Sequence, residues 1–353
     1  MSRLPSHLIA PLLALSVVPG GCGDLDRVAA PPDPLRGASV PAGFPAGIIA
    51  SFDASAGERP EGIAMDKAGN LYVGISTTGD IYRLRPGRPG SGVVERSLFA
   101  TLAPGLLGLA VDAVGNLYAG VASFDPATHG VWRVSPDGSR IRLPGSASIF
   151  FPNALAFDRR GNLYVTSSSG PPAGDGTFLD GEVWRIPRGG GAELWLRHPL
   201  LTGTASGITG LPFPLGANGI AFFQGELVVA NTEKGWLVRV PVEGGDPGVP
   251  EILAGGFSFL DGLALDVHGD IYLLEIGLTR LVKVSRAEGS AEVLAGPFDG
   301  VDFATSLAFG TGEGDRESVF LANAALDFPH PDPDRSGPSV LKLELDVPGL
   351  PLP

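Results

Sequence analysis

Cysteine is nearly absent from this chain: Cys22 is the only one among 353 residues. A lone cysteine cannot form an internal disulfide, so the fold must be held by packing and hydrogen bonds. Positive charge is also scarce, with 25 Lys and Arg against 38 Asp and Glu and a formal charge of −13. That balance argues against nucleic acid as a partner, because phosphate backbones need a cationic surface. Beyond the N-terminus no apolar run is long enough to span a bilayer. Nor does any stretch carry the sustained 3.6-residue apolar period of a substantial helix. Glycine and proline are abundant instead, at 52 and 33 residues, as a chain of short strands and tight turns requires.

Six copies of one short pattern organise what remains. Residues 62–76 read GIAMDKAGNLYVGIS, 108–122 read GLAVDAVGNLYAGVA and 154–168 read ALAFDRRGNLYVTSS. Further copies run over 219–231, 262–275 and 306–323. Each begins with an apolar strand, turns through Asp-x-x-Gly-Asn or a variant, and returns in a second strand. A third strand recurs with a cation at its third position: Arg83, Arg133, Arg185, Arg239, Lys283 and Lys342. Repetition in every copy marks these cations as scaffold rather than as an anion site. A period of roughly 40–50 residues in strand-rich units is the signature of a β-propeller. The expected fold is an all-β, six-bladed propeller spanning residues 44–347. The last copy lacks a fourth strand, and residues 48–52 supply one, so an N-terminal strand is expected to close the ring and remove its edges.

The residue ahead of each copy differs: Glu61, Leu107, Asn153, Asn218, Asp261 and Thr305. In a propeller these positions converge on the central axis. Two carboxylates and two amides at one point are hard oxygen donors, suited to a divalent cation such as Ca²⁺, with Zn²⁺, Mn²⁺ or Mg²⁺ as other choices. Glu61, Asn153, Asn218 and Asp261 are therefore the expected metal ligands.

The motifs Pro60-Glu61-Gly62, Pro152-Asn153-Ala154, Asn218-Gly219-Ile220 and Asp261-Gly262-Leu263 resemble those of the regucalcin/gluconolactonase family of six-bladed propellers, relatives of the paraoxonases. The resemblance implies one divalent ion on the axis and a role for Asp261 as general base. The chain departs from the family twice. Phe151 stands where sugar lactonases carry an arginine, and Leu107 where paraoxonases carry a catalytic histidine. The expected activity is metal-dependent hydrolysis of a lactone or ester by a monomer, with the ion as Lewis acid. The alternative is a non-catalytic, surface-anchored propeller that binds a ligand or protein around a structural metal. A carbon–oxygen lyase is a third reading.

Two inserts, 169–181 and 200–216, break the repeat in its third unit. With Phe150 and Phe151 beside Asn153, they suggest an apolar pocket wall that includes Phe151 and Phe213. Glu275 ends a second strand where other units have Ser76, Ala122, Ser167, Asn231 and Asn323; pairing with Arg280 is its expected role. The histidines outside the N-terminal segment, His129, His198, His268 and His330, lie in turns and inserts.

Residues 1–21 carry Arg3, an apolar core over 8–18 and then Cys22, which resembles a bacterial lipoprotein signal. Cys22 is the expected lipidation site, residues 22–43 a flexible tether, and the membrane a partner only through that lipid. Residues 348–353 form a C-terminal tail. The expected location is the bacterial cell envelope, or otherwise the periplasm or exterior.

Overall fold

A computed structural model describes residues 46–86, 94–204, 211–327 and 330–353. The proposed signal segment 1–21, Cys22 and the tether 22–43 lie outside the described residues. Among the described residues, no helix is long and apolar enough to cross a membrane.

The strands form six antiparallel sheets, one for each copy of the repeat. Blade one runs through Pro60–Met65, Leu71–Ile75, Asp80–Pro86 and Val94–Thr101. The first strands of the next five blades are Leu106–Val111, Pro152–Phe157, Ala217–Phe223, Leu260–Leu265 and Ala304–Phe309. Each first strand packs against that of the next blade, and the sixth returns to the first, which makes a closed inner ring. Six apolar clusters fill the wedges between neighbouring blades. One joins Phe223 and Val228 of blade four to Leu263 and Leu273 of blade five; another joins Phe320 of blade six to Val73 and Ile75 of blade one.

Closure uses both termini. Ala46–Ser51 pairs with Ser339–Glu344 as the outer strand of blade six, with Ile48 opposite Leu341 and Ser51 opposite Ser339. The Phe52 amide continues the ladder to the Pro338 carbonyl at 2.8 Å. The expected N-terminal closing strand is present and starts two residues earlier than the apolar pattern suggested. Blade four carries one additional short pairing, Val242 with Pro247.

The Asp-x-x-Gly-Asn turn is a hydrogen-bonded unit. Asp66 Oδ1 accepts from the amides of Ala68 and Asn70, both at 2.9 Å. Its Oδ2 accepts from Asn70 Nδ2 at 2.7 Å and from the Tyr72 hydroxyl at 3.2 Å. Gly69, at φ +78°, makes the left-handed step that lets the chain reverse. Asp112, Asp158 and Asp266 build the same turn. On the third strand, each repeated cation stands opposite a second-strand side chain: Arg83 faces Tyr72, Arg133 faces Tyr118 and Lys342 faces Phe320. Arg83 also lies over the Phe99 ring at 5.6 Å. These cations brace blades, as their repetition implied.

The C-terminal residues are tied in as well. Leu350 donates to the Leu265 carbonyl at 3.0 Å and Val267 donates to that of Pro348 at 3.1 Å, beneath blade five.

Candidate functional site at the axial end

Each residue singled out on the sequence is the second residue of its blade's first strand. In every blade the pairing register shifts at that point: between Pro60 and Ile63, Leu106 and Leu109, Pro152 and Leu155, Ala217 and Ile220, Leu260 and Leu263, and Ala304 and Ser306. A bulge adds a residue to one strand and re-aims its side chain. Six bulges at one register therefore present Glu61, Leu107, Asn153, Asn218, Asp261 and Thr305 as a ring at one end of the axis.

The glycine that follows has a packing cause. A Cβ at Gly62 would lie 2.1 Å from the Leu107 carbonyl oxygen, and one at Gly219 would lie 2.4 Å from that of Asp261. Gly108 and Gly262 meet the Asn153 and Thr305 carbonyls in the same way. Four of the six ring carbonyls, those of Leu107, Asn153, Asp261 and Thr305, thus sit against the glycine of the preceding blade, where a side chain would clash. Blade three has Ala154 instead, and there the Thr166 hydroxyl donates to the Asn218 carbonyl at 2.8 Å.

The ring is mostly buried: Asn153, Asn218, Asp261 and Thr305 are each no more than 9% exposed. Asn153 Nδ2 donates to Ser168 Oγ at 3.0 Å and Asn218 Nδ2 to Thr232 Oγ1 at 3.1 Å. The Asn218 side chain favours the charged form of the Asp261 carboxyl, against the effect of burial. Thr305 Oγ1 donates to the Glu61 carbonyl at 3.1 Å and reaches the Glu61 side chain too. Burial pushes the Glu61 carboxyl up to about 7. Burial, and then the Glu61 charge, push Asp261 well above the usual carboxylate range. The two acids sense each other across the axis, and proximity makes it costly for both to be ionised together.

The expected metal centre does not survive this geometry. Among the described residues, no group of three or more His, Cys, Asp or Glu side chains could hold a metal ion. The ring contributes two acids only, Glu61 and Asp261. Asn153 and Asn218 direct their Nδ2 groups to the hydroxyls of Ser168 and Thr232, and no third acid, His or Cys side chain joins Glu61 and Asp261 among the described residues. The assignment of Ca²⁺, or of Zn²⁺, Mn²⁺ or Mg²⁺, to these four residues is therefore corrected. With it go metal-dependent hydrolysis of a lactone or ester and the alternative of a binding propeller built on a structural metal.

Other sequence expectations fare variously. Glu275 is buried and accepts from Arg280 Nε and the Ser258 amide, the pairing expected of it. Its register partner is Leu260, so its equivalents in blades one and two are Ile75 and Val121, one residue before Ser76 and Ala122. His129 contacts the Ile149 carbonyl, His198 caps a short turn, His268 is exposed and His330 contacts the Val301 and Asp332 carbonyls. Phe151 and Phe213 do meet, with ring centroids 5.0 Å apart.

The hydroxyl partners Ser168 and Thr232 escaped the sequence reading, and Thr305 was read as a ring position without its bond to Glu61. A small polar residue just past the second strand was visible in the repeat, but its partner was not. Glu233 was missed too; burial pushes it up to about 7 while Thr204 donates to it. Two rim clefts, of about 170 Å³ beside Trp132 and about 340 Å³ beside Lys283, lie on outer parts of the blades and share no residue with the ring.

Comparison with known proteins agrees with this architecture. The family described as "Strictosidine synthase-like, N-terminal" matches residues 52–84. No curated protein matches the chain. Among solved structures, the calcium-binding protein regucalcin from Agrobacterium tumefaciens is 15% identical, with a TM-score of 0.63 over 89% of this chain and 99% of its own. A gluconolactonase from Xanthomonas campestris is 17% identical, with a TM-score of 0.59 over 87% and 99%. A streptogramin B lyase is 15% identical, with a TM-score of 0.55 over 86% and 98%. At these identities the likeness establishes a shared six-bladed fold.

Proposed function

We propose that the axial end binds a small molecule and cleaves a bond in it, with Glu61 and Asp261 as the acid–base pair. The observation that carries this reading is the convergence of two buried, mutually interacting carboxyls at a ring position where the six copies differ. A raised, shared-proton carboxyl pair can hold one acid protonated and one ionised near neutral pH. The protonated partner donates to the departing oxygen. The ionised partner takes a proton from attacking water in a hydrolysis, or from the neighbouring carbon in an elimination. In either case one proton enters the pair and one leaves it, so the pair returns to its starting state. Asn218 and Thr305 stand beside the acids and orient them, and Asn153, fixed by Ser168, gives a bound substrate a polar contact. The likeness to proteins named as a gluconolactonase and a lyase supports an enzyme on this fold without choosing between the two reactions.

The test is a screen of lactones, esters and cyclic depsipeptides, followed by proton release and by mass spectrometry, on the wild type, Glu61→Gln and Asp261→Asn. Loss of about 10²-fold or more in turnover in both folded variants supports the pair. Wild-type turnover in either variant removes that residue from the chemistry. Binding of probes with no turnover by the wild type would mark the chain as a binding propeller.

We also propose that the protein is exported and tethered by a lipid on Cys22, on the strength of the charged start, short apolar core and single cysteine. Mass spectrometry of native membrane fractions should find residues 1–21 removed and Cys22 acylated; an intact N-terminus would refute it.

A further inference from the structure

Four phenylalanines gather at the ring end of blade three, brought there by three separate connections. Phe150 and Phe151 precede its first strand. Phe178 lies in the insert between its second and third strands, on a small hairpin where Phe178 bridges Pro172. Phe213 lies in the connection to blade four. Phe213 is the buried hub, only 7% exposed, with ring centroids 5.4 Å from Phe150, 5.0 Å from Phe151 and 5.9 Å from Phe178. The other three rings are half-buried and keep aromatic surface open around it.

This cluster is held in register with the polar ring. The Phe151 amide donates to Ser167 Oγ at 2.9 Å, and the Phe151 carbonyl accepts from the Ser168 amide at 3.3 Å. Ser168 Oγ accepts from Asn153 Nδ2, and the Ser168 carbonyl accepts from the Gly216 amide at 2.7 Å. One short segment, Ser167-Ser168, therefore ties the aromatic residues, the ring amide Asn153 and the connection carrying Phe213 together. The same backbone bonds recur in the other blades, as from Ser76 to Arg59 and from Thr232 to Gly216, so the common scaffold fixes where the blade-three phenylalanines stand relative to Asn153.

We propose that the site selects substrates bearing an aromatic or comparably bulky apolar group, seated on Phe150, Phe151 and Phe178, with the reactive bond over Glu61 and Asp261. The inference rests on the axial ring being the reaction site. Polyhydroxylated sugars are disfavoured, because their hydroxyls would face rings that offer neither a hydrogen-bond donor nor an acceptor of useful strength. Apolar and aromatic groups gain by leaving water for the same surface.

The test compares binding of two lactones to the full chain by ligand-observed NMR: γ-phenyl-γ-butyrolactone and D-ribono-1,4-lactone. The wild type should bind the phenyl lactone at least about tenfold more tightly, as burial of one ring face implies. Phe151→Arg should abolish that preference, and Phe151→Leu should weaken it by a smaller factor while thermal melts show both folded. If Phe151→Arg fails to fold, Phe151→Leu and Phe150→Ala decide the matter. Equal or tighter binding of ribonolactone, no detectable binding of the phenyl lactone, or an unchanged preference in the folded variants overturns the proposal. Because binding is read without turnover, these failures are distinct from failure of the acid–base pair, which shows as activity surviving in Asp261→Asn.

Discussion

Replacing Glu61 with glutamine should alter the pH dependence of stability in a direction the geometry dictates. In the folded protein burial raises this carboxyl from an ordinary 4.5 to about 7. Between those values the native state binds more protons than the unfolded chain, so stability falls as pH rises through the window. Below about 4.5 the penalty is absent; above about 7 it is complete. At 1.36 kcal/mol per pH unit the full penalty is about 3 kcal/mol. Glu61 keeps some contact with water, so roughly half of that, about 1–2 kcal/mol, is the expected net effect. For a chain of 353 residues this corresponds to about 2 °C in the midpoint of thermal unfolding. Asp261 is raised in the same direction by burial and by Glu61 itself, so removing the Glu61 charge relieves both acids. Glu233 is also raised to about 7 and contributes a similar fall, but it is present in both proteins and cancels in the comparison. Thermal melts of wild type and Glu61→Gln at pH 5 and pH 8 make the measurement. The wild type should lose more stability than the variant between the two, with Glu61→Gln the more stable at pH 8. Parallel pH profiles would refute the reasoning.

Three further outcomes follow from the scaffold. Gly62→Ala drives a Cβ to 2.1 Å from the Leu107 carbonyl and should destabilise by about 3 kcal/mol or more in denaturant melts, whereas Gly47→Ala, with open space around it, should stay within about 0.5 kcal/mol. Deleting residues 1–52 removes the closing strand of blade six and should yield an aggregating or sharply destabilised protein, while deletion of 1–45 should leave the melt of the described domain unchanged. Asp66→Ala leaves the amides of Ala68 and Asn70, the Asn70 side chain and the Tyr72 hydroxyl without their shared acceptor, and should cost about 2–4 kcal/mol in the same assay.

The fold was legible because six copies repeat one register, and a repeated strand–turn–strand unit has few ways to bury its faces other than as blades around an axis. The missing fourth strand of the last copy pointed to the N-terminus for the same reason. The ring was legible as the position where copies disagree. Its internal bonding was not. Asn153 with Ser168 and Asn218 with Thr232 pair across residues whose alignment depends on a bulge. The alignment of Ser76 and Ala122 with Glu275 ran one residue past Ile75 and Val121, which hold that register. The metal expectation counted four oxygen-bearing side chains, but only Glu61 and Asp261 are acids and no third acid, His or Cys joins them among the described residues. The docking of Leu350 against Leu265 was hidden too, since no repeat or period announces a tail that pairs by backbone alone.

The central claim is that Glu61 and Asp261 form one proton-sharing pair on the axis. Carbon-13 NMR of the protein labelled at its Asp and Glu side-chain carboxyls, titrated from pH 3 to 9, tests it directly. The account predicts two coupled resonances that titrate well above the ordinary carboxylate range, one retaining its proton near pH 7. Glu61→Gln should remove one and shift the other downward. Two independent resonances titrating near pH 4, with Asp261 unaffected by Glu61→Gln, would contradict it.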